Sequence, residues 1–322
     1  MTGSYAEQGA GWPEVVSLGE VMVRLSPPYD VPLERAAQLW LDTGGSEFGA
    51  MAALARLGVR AAWVSKLPDS PLGRFMAASG RRHGVDMSLV RWADCGRVGL
   101  YFVEYLRRSG RIRVHYDRKG SAINDLRQDE VEWSAFRAAR IVHLSGITPA
   151  LSENCCRLVH RAVAEAKAGR ARVSFDVNHR SLLWSPDEAA AALEPLLRQA
   201  DILISSAKDL QALYGLTGDP WDVAQAARER FGSEVVALTL GETGSVAIRG
   251  DERAEWVGVE CEEVDRFVAG DCFAGGLLYG LLHDDLQLGV RLGGAFAALK
   301  HTIPGDMPWV SAEEVRALAE AD

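Results

Sequence analysis

The chain has 322 residues, 48% of them hydrophobic and 25% charged, and 35 Lys and Arg against 44 Asp and Glu give a formal net charge of −9. This balance argues against a general nucleic-acid-binding surface, which needs an excess of basic residues, and the composition excludes a disordered or collagen-like chain. The longest strongly apolar run, 272–282, is about half as long as a bilayer-spanning helix, and the first residues lack a signal-peptide pattern. We therefore expect a cytoplasmic globular protein without a membrane segment.

From the N-terminus onward, short β-branched runs alternate with segments of helical periodicity, the pattern of parallel strands joined by crossover helices. The predicted strands are 15–25, 61–67, 141–146, 172–178, 201–205 and 235–241. The predicted helices are 46–57, 71–83, 152–168, 187–199 and 221–231, with Gly58, Gly84, Gly169 and Gly232 as stops near four of their ends. A helical block at 271–300 and a short helix at 311–321 complete an α/β chain.

One stretch interrupts this alternation. Two β-rich runs between 96 and 118 flank Arg107-Arg108-Ser109-Gly110, which predicts a β-hairpin. The hairpin could decorate the edge of the sheet. It could also form a lid over the carboxyl ends of the strands, where open α/β sheets bind ligands.

The most informative segment places an acid at the start of an apolar helix. Asp271 follows Ala269 and Gly270, and no charged residue occurs in the next eleven positions. The carboxylate could simply cap the helix, because Asp accepts hydrogen bonds from the free amides of the first turn. The same geometry also provides an anion site beside a proton acceptor, and phosphoryl transfer requires both at one place.

The run Val264-Asp265-Arg266-x-x-Ala269-Gly270-Asp271-x-Phe273-x-x-Gly276-Leu277-Leu278-Tyr279-Gly280-Leu281 resembles the second signature of PfkB-type, ribokinase-like sugar kinases. Gly44-Gly45-Ser46-Glu47 and the segments 54–58, 67–69 and 71–73 resemble the first signature. Within this family the chain is most similar to the 2-keto-3-deoxygluconate kinases, through segments 19–27, 99–102, 116–122, 176–180 and 299–306.

The resemblance implies a ribokinase-like three-layer α/β/α sandwich with a mainly parallel sheet and a small β lid. It implies a single domain over 1–322, with the lid formed by about 20–40 and 92–120. Lid sheets in this family often pair between subunits, so a homodimer through the lid is an open expectation.

The family pattern also assigns roles to residues of this chain. Asp271 matches the base that deprotonates the sugar hydroxyl as it attacks the γ-phosphate of ATP, and Val268, Ala269 and Gly270 match the anion hole. The positions that match contacts to an acid sugar are Gly45, Tyr101, Tyr116, Arg118 and Arg180. Two arginines suit a carboxylate, although each could instead form a surface salt bridge.

The nucleotide side is matched by shorter motifs. Thr239, Gly241 and Gly244 resemble a T-x-G-x-x-G segment whose glycines let the backbone approach phosphates, although a turn after a strand also uses glycine. Ser206 and Asp209 stand where the family has Asn-x-x-Glu, which is linked to the placement of Mg²⁺ and phosphate. The implied cofactors are therefore ATP and Mg²⁺, with Asp209 as a weak candidate metal ligand.

Three positions depart from the family pattern. Val268 replaces a glycine, and a β-branched residue would be strained by ~1–2 kcal/mol if the position needs a positive φ. Gly49 stands where a sugar-binding asparagine is usual, which removes an amide. Ser206 and Asp209 occupy the Asn and Glu positions of the Asn-x-x-Glu motif, and each has a shorter side chain than the usual residue.

These observations leave three hypotheses. The first is an ATP-dependent kinase for a sugar or sugar acid, most similar in its acceptor to 2-keto-3-deoxygluconate. The second is a catalytically impaired homologue that binds a ligand or regulates, and the third is a kinase for an unrelated acceptor. The absence of a G-x-G-x-x-G motif after the first strand argues against a dehydrogenase.

Overall fold

The computed structural model describes residues 11–321. Residues 1–10 and 322 lie outside this range. The two ends of the predicted domain 1–322 therefore lie outside the described residues. Most of the first segment, in which the sequence shows no signal-peptide pattern, also lies outside them. In chain order the strands are β1 (Val15–Leu18), β2 (Met22–Ser26), β3 (Trp40–Gly44), β4 (Ala61–Val64), β5 (Lys66–Pro68), β6 (Arg91–Ala93), β7 (Gly99–Leu106), β8 (Arg111–Asp117), β9 (Ile141–Ser145), β10 (Arg172–Asp176), β11 (Ile202–Ser206), β12 (Val235–Thr239), β13 (Gly244–Arg249) and β14 (Glu252–Val257). The helices are α1 (Ser46–Arg56), α2 (Pro71–Arg82), α3 (Trp133–Ala138), α4 (Thr148–Leu151), α5 (Glu153–Gly169), α6 (Pro186–Leu197), α7 (Ala207–Tyr214), α8 (Pro220–Phe231), α9 (Ala269–Leu282), α10 (Leu286–His301) and α11 (Ala312–Glu320).

An eight-stranded sheet forms the centre of the molecule, in the order β14-β13-β12-β11-β10-β9-β1-β4. Its strands pair in parallel from β4 to β12, and β13 and β14 are antiparallel at one edge. The mainly parallel sheet is therefore confirmed. The sequence predicts no strand after 241, and the hairpin formed by β13 and β14 was missed because it is short and rich in charged residues.

Two apolar cores cover the two faces of this sheet. Successive strand residues alternate between them, so that Val15 joins one core and Val16 the other. Helices α1, α2, α9, α10 and α11 pack in the first core, and α3, α5, α6 and α8 pack in the second. The α/β/α layering predicted from the sequence is confirmed. Among residues 11–321, no helix is long and apolar enough to cross a membrane.

A second sheet, which we call the lid sheet, contains β3, β2, β7 and β8 in that order. The hairpin predicted at 96–118 is confirmed: β7 pairs antiparallel with β8, and a 3-10 turn and Gly110 at φ +64° connect them. Its parallel pairing with β2 joins the hairpin to the start of the chain. The closing movement of these strands and the single-domain assignment remain predictions.

Four predicted boundaries are wrong. The strand predicted at 61–67 divides into β4 in the central sheet and β5, which pairs with β6 in a separate two-stranded sheet. The strand predicted at 15–25 divides into β1 and β2, which belong to different sheets. The helical block predicted at 271–300 divides into α9 and α10, because Asp284 adopts a left-handed conformation and Asp285 caps the second helix. Gly169 is the last residue of α5 rather than the left-handed stop, a position taken by Arg170; a Cβ atom at Gly169 would lie 2.1 Å from the Arg137 carbonyl oxygen.

Candidate active site

The carboxyl ends of the parallel strands place polar residues at one edge of the central sheet. Asp176 ends β10, Ser206 ends β11 and Thr239 ends β12. The amino end of α9, with Asp271, approaches the same edge, since Asn178 after β10 lies within 3.5 Å of the Asp271 carboxylate. A ligand bound here would meet groups from several strands and from one helix end.

Asp271 is the third residue of α9 and is 5% exposed. Its Oδ1 atom accepts a hydrogen bond from the Ser46 hydroxyl at 2.5 Å, and the Asn178 amide donates to that hydroxyl at 2.7 Å. Asn178 reaches this position from a left-handed conformation at φ +39°, which asparagine tolerates better than most residues. Among the described residues these bonds use Oδ1, so Oδ2 is left for an incoming hydroxyl.

Burial raises the pKa of the Asp271 carboxyl well above its usual range; the Ser46 hydrogen bond opposes this shift and the Asp176 carboxylate adds to it. Burial, and then repulsion from Asp209, raises the pKa of Asp176 to about 7. The exposed Arg180 guanidinium attracts both carboxylates and lowers both pKa values in part. A carboxylate whose pKa is raised towards neutral pH is better matched to accepting a proton from a hydroxyl.

The predicted anion hole lies at the first turn of α9. No hydrogen bond among residues 11–321 uses the amides of Ala269, Gly270 or Asp271, as expected for the unpaired start of a helix. An added Cβ at Gly270 would meet no atom within 4 Å, so the space above this turn is open. These amides and the positive end of the helix can bind a phosphoryl group.

Val268 precedes this turn with φ +64° and ψ 0°. Val268 therefore has the positive φ on which the expected strain depended, and this conformation is strained for a β-branched residue. A Cβ atom at Gly49 would lie 2.5 Å from Val268 Cγ1 and 3.4 Å from Asp271 Cβ. The two departures from the family pattern are thus in contact: the valine side chain occupies space that any side chain at position 49 would need.

The residues predicted to hold an acid sugar lie on the lid sheet and near it. The rings of Tyr101 and Tyr116 stack with centroids 5.8 Å apart, and the Arg118 guanidinium lies 5.6 Å from the Tyr116 ring centroid. Arg118 Nε donates to Glu20 at 2.8 Å, and Nη2 forms a further short bond to the same carboxylate. A Cβ atom at Gly45 would lie 2.3 Å from the Glu20 carbonyl oxygen, so a glycine is needed there.

Arg118 therefore already has a carboxylate partner within the protein. Its Nη1 atom has no hydrogen bond among the described residues and is the part that could reach a ligand. Arg180, by contrast, forms no ion pair within residues 11–321, so its whole guanidinium could meet an acid group. No local pattern in the sequence indicates the Arg118–Glu20 pair, because the two residues are 98 positions apart.

A buried polar network behind the tyrosines was also missed. Arg24 on β2 pairs with Asp306 and, at 2.7 Å, with Asp265, and all three side chains are at most 5% exposed. The Tyr101 hydroxyl donates to Asp306, and a Cβ atom at Gly44 would lie 2.0 Å from that hydroxyl. The sequence feature that could have indicated this network is a charged residue directly after a glycine, as in Gly305-Asp306.

Glu47 is a second buried carboxyl, and the sequence motif that contains it predicts no role for it. It accepts hydrogen bonds from the Ser145 hydroxyl at 2.8 Å and the Thr148 hydroxyl at 2.6 Å. These bonds attach the start of α1 to the carboxyl end of β9. Ser46, which holds Asp271, is thereby fixed through its neighbour.

The nucleotide-side residues are more exposed. Gly241 has φ +67° with open space around it, whereas a Cβ atom at Gly244 would lie 1.9 Å from the Trp256 carbonyl oxygen. The Ser206 hydroxyl caps α7 by accepting from the Asp209 amide at 3.0 Å. Thr239 is partly exposed at the end of β12. The glycines therefore shape a turn, and phosphate contacts by Thr239, Gly241, Gly244 and Ser206 remain predictions.

Asp209, the candidate metal ligand, lies near the Asp176 carboxylate at this edge of the sheet. Within residues 11–321, no cluster of three or more His, Cys, Asp or Glu side chains could hold a metal ion. Asp176 and Asp209 are close enough to raise the pKa of Asp176. Two carboxylates suit Mg²⁺, which usually keeps waters and phosphates as its other ligands.

Comparison with known proteins identifies the fold and the family. The fold is the ribokinase-like α/β fold predicted from the sequence: a solved 2-dehydro-3-deoxygluconokinase from Thermotoga maritima superposes with a TM-score of 0.90 at 32% identity, covering 95% of this chain and 99% of that one. The pfkB family carbohydrate kinase model matches residues 13–310. The chain belongs to the pfkB family of carbohydrate kinases.

Two curated relatives are similar over nearly their full length. The 2-dehydro-3-deoxygalactonokinase of Haloferax volcanii is 39% identical over 303 residues, which are 94% of this chain and 95% of that protein. The 2-dehydro-3-deoxygluconokinase of Bacillus subtilis is 30% identical over 307 residues, with 94% and 93% covered. The predicted family, and the carbohydrate kinase activity expected from it, are confirmed.

Proposed function

We propose that the chain transfers the γ-phosphoryl group of ATP to a hydroxyl of a 2-keto-3-deoxy sugar acid of the gluconate or galactonate type. The observation that carries the proposal is the buried Asp271 carboxylate beside three unpaired amides in the first turn of α9. The names of the similar kinases from Haloferax volcanii and Bacillus subtilis support this acceptor class.

Asp271 would act as the general base. Ser46 and Asn178 hold Oδ1, so Oδ2 can accept the hydroxyl proton of the sugar. The acceptor oxygen forms a bond to the γ-phosphorus, the bond from that phosphorus to the β-phosphate oxygen breaks, and ADP leaves. The amides of Ala269 and Gly270 stabilise the charge on the transferring group; removing one such donor costs ~2.7–4 kcal/mol in other enzymes.

The acid group of the substrate would bind at the arginines. Arg180 has its whole guanidinium available, and a planar guanidinium binds a carboxylate through two parallel hydrogen bonds. Arg118 would contribute through Nη1, with its charge largely neutralised by Glu20. The stacked Tyr101 and Tyr116 would contact the carbon chain of the sugar.

ATP would lie on the turn that contains Thr239, Gly241 and Gly244, next to the carboxyl end of β12. Mg²⁺ would be held by Asp209 and Asp176 together with the nucleotide, and it would neutralise the β- and γ-phosphates. Use of ATP also agrees with the cytoplasmic location expected from the sequence.

A coupled assay of ADP release tests the proposal. We expect turnover with 2-keto-3-deoxygluconate or 2-keto-3-deoxygalactonate and little with fructose, and we expect Asp271→Asn to lower kcat by ~10²–10⁴-fold. Asp187→Asn is the matched control, because Asp187 is an exposed acid in the first turn of α6. Arg180→Ala should raise KM for the acid sugar and not for a neutral one.

The strained Val268 is the observation that favours the alternative, an impaired homologue that binds a ligand or regulates. Calorimetry distinguishes the two functions. Sugar binding with neither ATP binding nor ADP release would support the impaired homologue and overturn the kinase proposal. Turnover only with an acceptor that lacks an acid group would overturn the acceptor class alone.

We also propose that two copies pair through their lid sheets. Strand β3 is an edge strand of this sheet, and Trp40 and Leu41 on it are each 51% exposed. Pairing would bury these apolar groups. Light scattering after gel filtration should give the mass of a dimer, and a monomer at all concentrations would contradict the proposal.

A further inference from the structure

Lys300 lies in the last turn of α10 and is fully buried, which is rare for a lysine. Its Nζ donates to the carbonyl oxygen of Asp265 at 3.4 Å and to that of Ile303 at 3.3 Å. Within residues 11–321, these two main-chain oxygens are its hydrogen-bond partners. The ammonium is therefore held by backbone and not by a carboxylate.

Such an arrangement is costly if it serves packing alone. An ammonium has three N–H donors, and here two long hydrogen bonds replace the solvation lost on burial. An unbranched apolar side chain such as methionine would fill a similar volume without the cost of burying a charge. Packing of the core therefore does not explain why a charged residue occupies position 300.

The two carbonyl groups belong to two segments that are hydrogen-bonded to each other a few residues before the start of α9. The amides of Val264 and Asp265 donate to the His301 carbonyl oxygen at 2.8 and 3.0 Å. Three residues after Asp265 comes Val268, the residue before the first turn of α9. Lys300 thus ties the end of α10 to the main chain that leads into the anion hole.

The Asp265 side chain fixes the same segment from the other side. Its carboxylate accepts from the Tyr105 hydroxyl at 2.7 Å, from Arg24 at 2.7 Å and from the Gly305 amide at 3.0 Å. With this side chain bound to the lid sheet and its carbonyl bound to Lys300, Asp265 has little freedom. A small movement here would be passed directly to Val268 and the amides after it.

The charge of Lys300 also reaches the first turn of α9. Burial raises the pKa of the Cys272 thiol, and attraction to the Lys300 ammonium lowers it in part. Cys272 directly follows Asp271. The ammonium therefore adds positive potential under the helix end where an anion would bind.

We propose that Lys300 is a positioning residue for phosphoryl transfer, whose buried ammonium holds the segment 265–268 so that the amides of Ala269 and Gly270 face the transferring group. Lys300 does not touch the substrate. The inference rests on the role proposed above for these amides.

Two variants test it. Lys300→Met removes the charge, keeps most of the volume and leaves the two carbonyl oxygens without their donor, so we expect a moderately lower Tm, a kcat lowered by ~10–100-fold well below that Tm, and an acceptor KM within about twofold of the parent value. Lys167→Met is the matched control, because Lys167 is an exposed lysine in the last turn of α5. Lys300→Ala opens a space lined by the same two carbonyl oxygens, where ammonium ion can bind. Ammonium chloride should restore part of its kcat, whereas sodium chloride at equal ionic strength should not.

A Lys300→Met enzyme with kcat within about twofold of the parent would overturn the inference. It would also be overturned if Lys300→Ala lost activity and Tm together and ammonium restored neither, because packing would then explain the loss. A parent chain without turnover would refute the proposed function instead. In that case, calorimetry with a non-hydrolysable ATP analogue decides: weaker binding by Lys300→Met supports positioning, and equal binding refutes it.

Discussion

The proposed acceptor side and the proposed nucleotide side of the candidate site are built differently. On the acceptor side, side chains from distant parts of the chain form buried pairs, such as Arg24 with Asp306 and Arg118 with Glu20. On the nucleotide side, Gly241 and Gly244 shape an exposed turn of backbone. Buried polar pairs fix one geometry and suit a choice among similar sugars, whereas a backbone turn suits a phosphate common to all these kinases. The comparison predicts that mutations on the acceptor side will cost more stability.

The largest effect is expected at Arg24. Changing Arg24→Met leaves Asp265 and Asp306 buried without their cation, so we expect the free energy of unfolding to fall by ~3–5 kcal/mol in urea titration. Arg97→Met is the control, since Arg97 forms an exposed pair with Asp117 on the same lid sheet; such pairs contribute ~0–1 kcal/mol. An equal loss of unfolding free energy in the two variants would contradict the expectation that the buried pair stabilises the protein more than the exposed pair.

The second effect is a pH dependence of stability caused by Asp176, which lies between the proposed acceptor and nucleotide sides. Burial, with repulsion from Asp209, raises the pKa of Asp176 to about 7, so between pH ~4 and 7 the folded chain holds a proton that the unfolded chain has released. This contribution to stability is present at low pH and is lost as pH rises through 7, by at most ~1.4 kcal/mol per pH unit. Asp176→Asn should therefore flatten the fall of Tm with pH, whereas Asp187→Asn should leave the slope of the parent.

The candidate site could be predicted from the sequence where its parts are local. Asp271 and the amides before it lie within one turn, and Val268 has the positive φ of +64° that the sequence analysis named only as a condition. Arg24 and Asp306 are 282 residues apart, so no local pattern could pair them. Their contact exists only because β2 leaves the central sheet for the lid sheet.

The fold shows the same limit. The alternation of strands and helices predicted the parallel centre of the sheet, because each unit buries its own apolar face. The division of 15–25 into β1 and β2 could not be predicted, since apolar residues continue on both sides of Gly19-Glu20. At this point the chain passes from the central sheet to the lid sheet, because β1 pairs with β4 and β2 pairs with β7, both of which lie far along the chain.

The nucleotide side offers a test with two glycines of one hairpin. Gly244→Ala combines φ +117° with a Cβ atom 1.9 Å from the Trp256 carbonyl oxygen, so we expect a loss of ~1–3 kcal/mol of stability and a raised KM for ATP alone. Gly250 also has a positive φ but has open space around it. Gly250→Ala should therefore leave both KM values unchanged, and a raised KM for the sugar in Gly244→Ala would contradict the separation of the two sides.

The smallest effect is expected where the acceptor side departs from the family pattern. Gly49→Ala places a Cβ atom 2.5 Å from Val268 Cγ1, so the valine side chain beside the proposed anion hole must move. Val268→Gly removes both the collision and the strain of a left-handed valine, which is ~1–2 kcal/mol. Gly49→Ala should thus destabilise the parent chain and be nearly neutral in the Val268→Gly background, with a coupling of ~0.5–3 kcal/mol. Additive costs in this double-mutant cycle would mean that the two departures are independent, and the acceptor side would then be less tightly connected than its buried pairs indicate.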